Sequence, residues 1–169
     1  MPLSKIDSDS LNSGAVTSTA LASGVPTRAQ MPVGSVLQVV NAAYSTATST
    51  NTSTAVTTGL TATITPTSAS SKILVLVNQA GVNKANNTYI ALYLYRGASS
   101  LTQFEGEGGY TNTTATNSIG SCSICYLDSP ATTSATTYTT YFKSVANAAS
   151  VAVQGSSATS TITLMEIAA

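Results

Sequence analysis

The stretch TYIALYLYRG, Thr88–Gly97, decides how this chain is read. Extended, it sets Tyr89, Ala91, Tyr93 and Tyr95 on one face and Ile90, Leu92, Leu94 and Arg96 on the other. Neither face is made for water. A sandwich strand with one wet side alternates apolar and polar residues, so this one is expected to be covered on both sides. KILVLVNQAG (72–81) has the same character. In an antiparallel sandwich one face packs the core, and the second is then expected to meet another subunit. Tyr89, Tyr93 and Tyr95 are the candidate interface residues, because a tyrosine ring is apolar while its hydroxyl still finds a partner.

Outward from this strand, short apolar runs alternate with Ser/Thr/Asn/Gly loops. Strands are expected at 35–41, 60–66, 72–81, 88–97, 123–129, 136–144, 150–155 and 160–168, with weaker ones near 53–58 and 100–105. Pro66 and Pro130 each close a run, as a residue without an N–H should. Helical periodicity is absent, and spacing of about 8–12 residues between runs is the mark of a sandwich or barrel. The fold class is all-β, an antiparallel sandwich spanning 34–169.

Residues 1–33 differ. Pro2, Pro26 and Pro32 stand among small polar residues, and Leu3, Ile6, Leu11, Val16, Leu21 and Val25 recur without a helical or strand period. Such a segment does not fold alone. It reads as an extended docking arm with these six residues as anchors, rather than as a loose tail.

Charged residues make up 7% of the chain against roughly a quarter in ordinary soluble domains, and the net charge is zero. An apolar fraction of 43% excludes wholesale disorder. The six basic residues are scattered, which excludes a nucleic-acid surface. No run is long or apolar enough to span a membrane as a helix, and MPLSKIDSDS lacks the apolar stretch of a secretory signal. A near-neutral surface keeps a free monomer soluble poorly, so partners are expected over much of it.

The chain holds no histidine, the usual general base and commonest metal ligand. Cys122 and Cys125 are its two cysteines, three residues apart and hence on opposite faces of a strand, which suits neither a disulfide nor a metal clamp. Reduced thiols accord with assembly in a cytoplasm. FEGEGG puts Glu105 and Glu107 on one side if extended, but carboxylates that close do not divide acid and nucleophile roles across a sugar, and the glycines argue for a solvent loop. Glu166, inside TITLMEI, is costly to bury alone, and Arg96 or a lysine is its expected partner. No catalytic, cofactor or metal residue is assigned, and no cofactor is expected. Tyr110 and Asn112, with the loop 111–118, offer stacking and hydrogen bonds of the kind a glycan would use.

MPLSKIDSDSLNSG, GSVLQVV with TGLTATITPTSASSKILVLVNQ, and YLDSPATTSATTY with STITLMEIA together resemble a family of small virion proteins and fibre-tip modules of phages that infect aquatic bacteria. The resemblance covers nearly the whole chain, the arm included. It implies a jelly-roll-like homotrimer on the virion surface, bound to capsid or tail proteins, and it brings no catalytic residue. A fibre shaft is missing, with only an arm and one domain present, which favours a capsid decoration or head-fibre role. The alternative is a tail-fibre adhesin that recognises a host surface glycan.

Overall fold

The computed structural model describes residues 31–111, 114–146 and 148–169. The six arm anchors (Leu3, Ile6, Leu11, Val16, Leu21 and Val25) and Asn112 lie outside the described residues. Val33–Ala169 form one unit. Its strands are β1 (Val36–Tyr44), β2 (Thr48–Thr50), β3 (Val56–Ile64), β4 (Lys72–Lys84), β5 (Ile90–Arg96), β6 (Ser99–Gly108), β7 (Asn117–Asp128), β8 (Thr136–Ser144), β9 (Val151–Val153) and β10 (Ser160–Ile167), with no α-helix among the described residues.

All pairings are antiparallel. The first sheet runs β1-β10-β4-β7, and the second β3-β8-β5-β6. Short β9 joins the C-terminal end of β4, at Asn83 and Lys84, and carries β2 beside it. Without those two short strands, the order is that of a jelly roll: eight strands in two four-stranded sheets, each connection crossing between sheets or turning a hairpin. The sandwich expected from the sequence is therefore present. Several strands run further than their apolar runs suggested, whereas β5, β9 and β10 are shorter than expected. β3 absorbs the weak segment near 53–58, β6 continues to Gly108, and β7 begins at Asn117.

Two glycines shape the sheets. Gly81 (φ +63°) sits at the bulge where β4 slips register against β7, and a side chain there would strike the backbone of Gly155. Gly59 (φ +88°) lies where β3 slips against β8, and a Cβ would enter the Tyr44 ring.

Two apolar clusters fill the interior. Leu60, Ile64, Ile73, Val75, Leu94, Tyr138, Ile162 and Leu164 belong to one, and Val82, Ile90, Leu92, Phe142, Val151 and Val153 to the other. Between them runs a buried polar seam. Thr58 and Thr140 share a hydroxyl bond of 2.6 Å, Thr140 donates to the Gln79 Oε1 at 2.9 Å, and the Gln79 amide donates to Ser160 Oγ at 2.9 Å. Gln154 also donates to that oxygen at 3.2 Å, and the Ala80 N–H at 2.9 Å. The seam joins β3 and β8 of one sheet to β4 and β10 of the other. A slip of register would leave its members unpaired in an apolar interior, so it specifies one alignment of the two sheets.

Candidate functional site

In so charge-poor a domain the fate of each charge is informative. Arg96 Nη1 donates to both oxygens of Asp128 at 2.7 and 2.9 Å, and the Tyr138 hydroxyl donates to the same carboxylate at 2.6 Å. Burial first, and then that bond to Asp128, push the Tyr138 phenol well above its ordinary range. The group ties β5 and β8 to the edge strand β7. Glu166 is fully buried, but not beside Arg96 as the sequence suggested. Arg96 stands on β5, in the other sheet, and is committed to Asp128. Glu166 instead accepts the N–H and hydroxyl of Thr67, both at 2.7 Å, and the Gln38 amide at 2.6 Å. Burial alone would raise its pKa. The donated bonds outweigh burial and hold the carboxyl below its usual range.

Lys84 is buried too. Its ammonium donates to the carbonyls of Asn86 and Ala115 at 2.6 and 2.8 Å and to the Thr111 hydroxyl at 2.7 Å, which pins the segment after β6. FEGEGG is not a solvent loop but the end of β6. One irregularity in its pairing with β5, between Ile90 and Leu92, falls where Glu105 and Glu107 sit and breaks the alternation that would have put them on one side. Glu105 turns toward the buried Cys122, whose thiol is pushed up to about 11 by burial and then by that carboxylate. Glu107 lines the outer surface. Cys122 and Cys125 lie on opposite faces, one buried and one exposed, as their spacing requires.

Two outer faces remain. Across the first sheet Val39 pairs with Met165, Met165 with Leu74, and Leu74 with Leu127. Their side chains point away from the core, forming one aliphatic row over all four strands. Val36 pairs with Ile167 on one side of the row, and Leu76 pairs with Cys125 on the other. Val36, Val39 and Leu127 are about half exposed (49%, 56% and 52%). Further along, the face turns polar at Thr161, Asn78 and Ser123. Lys72 is the only charged side chain among the strand positions that point outward here.

The second sheet's outer face is aromatic and hydroxylic. Tyr95 packs against Tyr141 with ring centroids 4.3 Å apart, the Lys143 ammonium lies 5.6 Å over the Tyr93 ring, and Tyr110 meets Tyr89 edge-on at 5.4 Å. Toward β3, hydroxyl pairs Thr61–Thr139 and Thr63–Thr137 close at 2.9 and 2.7 Å. Tyr89, Tyr93 and Tyr95 thus share one outward face, as alternation required, and each is half-buried. The aliphatic row is what sequence reasoning missed. Its members come from four separate runs (SVLQVVN, KILVLVN, SICYLD and STITLMEI), and only the register assembles them.

No protein-family model matches the chain, and no curated protein sequence matches it.

Proposed function

We propose that this chain is a non-enzymatic structural subunit of a tailed-phage virion, a surface protein that trimerises through its jelly-roll domain and is fastened to the particle by residues 1–33. The observation that carries the reading is the row Val39–Met165–Leu74–Leu127, aliphatic across the full width of a sheet and half exposed at both ends. Covering each half-exposed side chain contributes about 1 kcal/mol. A face with a single lysine can meet another copy of the same chain without setting many like charges together, as a symmetric assembly requires.

This row is favoured over the tyrosine face as the subunit contact. Tyr95 already packs on Tyr141 and Tyr89 on Tyr110, and Lys143 and Glu107 beside them would have to be desolvated. The threefold number, the virion setting and the arm's role rest on the family resemblance. Three arms on one trimer would make joint attachment far tighter than any single arm.

Sedimentation of the purified protein is the first test. A trimer is expected, and a monomer at micromolar concentration would overturn the reading. In particles, deletion of residues 2–25 is expected to leave a folded trimer that no longer incorporates. A truncated protein that still incorporates would remove the arm from the mechanism.

A further inference from the structure

The tyrosine face holds a surface depression of about 240 Å³ lined by Tyr89, Tyr93, Gln103, Glu107 and Lys143, with Ala91, Gly106 and Val145 completing its wall. The described domain carries eight charged side chains (Lys72, Lys84, Arg96, Lys143, Glu105, Glu107, Asp128 and Glu166). Five of them are held by the bonds given above. The side chains of Lys72, Lys143 and Glu107 make no hydrogen bond or ion pair among the described residues. Two of these three line the same depression. A lysine and a glutamate stand in one small hollow with no salt bridge between them, flanked by two tyrosine rings and an amide.

We propose that this depression binds a sugar ring of an oligosaccharide. Tyr89 and Tyr93 stand on either side of Ala91, roughly 13 Å apart along an extended chain, so a pyranose fits between them with its C–H face against a ring. The Lys143 ammonium and Gln103 amide donate to ring hydroxyls, and the Glu107 carboxylate accepts from them. Charge-assisted bonds of this kind are the strong ones. A few convergent polar groups around an apolar floor are the usual make-up of a small-ligand site, and the volume suits one sugar rather than a larger molecule. The depression lies on the sheet opposite the aliphatic row, so it stays open when subunits meet through that row. The site does not depend on that association.

The test is titration of the full-length protein with soluble oligosaccharides built from glucose, galactose, N-acetylglucosamine and uronic acid. Saturation-transfer NMR reports the bound sugar, and tyrosine emission reports the protein without tryptophan background, since the chain has none. At least one oligosaccharide is expected to bind saturably, with Kd on the order of 1 mM. Tyr93→Ala should weaken it about tenfold, and Glu107→Gln and Lys143→Met severalfold each. Glu107 is exposed, so its substitution leaves folding intact and keeps the test valid if Tyr93→Ala unfolds. A panel with no saturable member overturns the site, as does unchanged binding in Glu107→Gln and Lys143→Met. Sedimentation of the same samples reports the subunit contact separately, so either idea can fail without the other.

Discussion

The two sheets of this sandwich obey the same alternation and bury the same kind of residue, yet their outer faces have opposite chemistry. On β4 and β10 the outward positions hold Leu74, Leu76 and Met165, with Val39 and Leu127 on the flanking strands. On β5 and β8 they hold Tyr93, Tyr95, Tyr141 and Lys143, with threonine pairs beside them. Most of the large side chains on the second face end in a hydroxyl or an ammonium and can remain wet. The first face offers aliphatic carbon with no polar end. A strand that is apolar on both sides therefore has two meanings, and only the kind of apolar residue separates them.

The sharpest way to break that comparison is to charge each face in turn. Val39→Glu with Leu127→Glu is expected to convert the proposed assembly to monomers, because each subunit contact would then desolvate carboxylates, at several kcal/mol. Both positions are half exposed, so the monomer's own stability should move by less than about 0.5 kcal/mol. Tyr93→Lys on the other sheet should leave the sedimenting species the same size as in the parent. If sedimentation gave the reverse pattern, the tyrosines would be the interface. Cys125 gives an independent reading. It is exposed and stands two residues from Leu127 on the same face. Alkylation of Cys125 should be slow in the parent protein and fast in the double glutamate variant, with the buried Cys122 unreactive in both. Equal rates would mean that nothing covers the row.

The two faces keep their places because the sheets are bolted together. Asp128→Ala removes the bolt at the edge of β7, leaving the Tyr138 hydroxyl buried without an acceptor and Arg96 without its ion. A cost of about 2–3 kcal/mol is expected in denaturant unfolding, below the full value for a buried pair because Arg96 is one-third exposed. A cost under 0.5 kcal/mol would remove the clamp from the account.

Glu166 lies beneath the aliphatic face, between the outward Met165 and Ile167. An unfolded glutamate titrates near 4.5, and this one is held lower when folded. Between the two values the folded chain binds fewer protons than the unfolded one. The stabilisation is therefore complete above 4.5 and disappears as pH falls through the folded value. Glu166→Gln keeps one acceptor but turns an amide toward a donor. It should cost about 1–3 kcal/mol at pH 7, a difference that shrinks below pH 4.5. An undiminished difference at pH 3 would show that charge plays no part.

What the sequence made legible follows from these forces. Burial patterning exposed the sandwich, because Ile73, Val75 and Val77 must hide whatever their neighbours do. β8 was read to the residue. β2 and the start of β7 were hidden, because TST and NSIGS have the same threonine-and-serine composition as the loops. The partner of Glu166 was misassigned, since an acid in an apolar run suggests a base, whereas this fold solves the burial with neutral donors. The aliphatic row was invisible for a simpler reason. Register is a property of pairs of strands, and no single run contains it.

The smallest effect asked of the molecule sharpens the comparison most finely. If the tyrosine face is self-sufficient, its rings must stabilise one another without a partner subunit. A double-mutant cycle on Tyr95→Ala and Tyr141→Ala, whose rings lie 4.3 Å apart, should then give a coupling of about 0.5–1.5 kcal/mol. The value should be the same in the parent and in the monomeric Val39→Glu, Leu127→Glu background. A coupling that vanished on dissociation would mean that the rings owe their packing to a neighbouring subunit. Both faces would then be contacts. A coupling that persists leaves one face for assembly and the other free for a ligand.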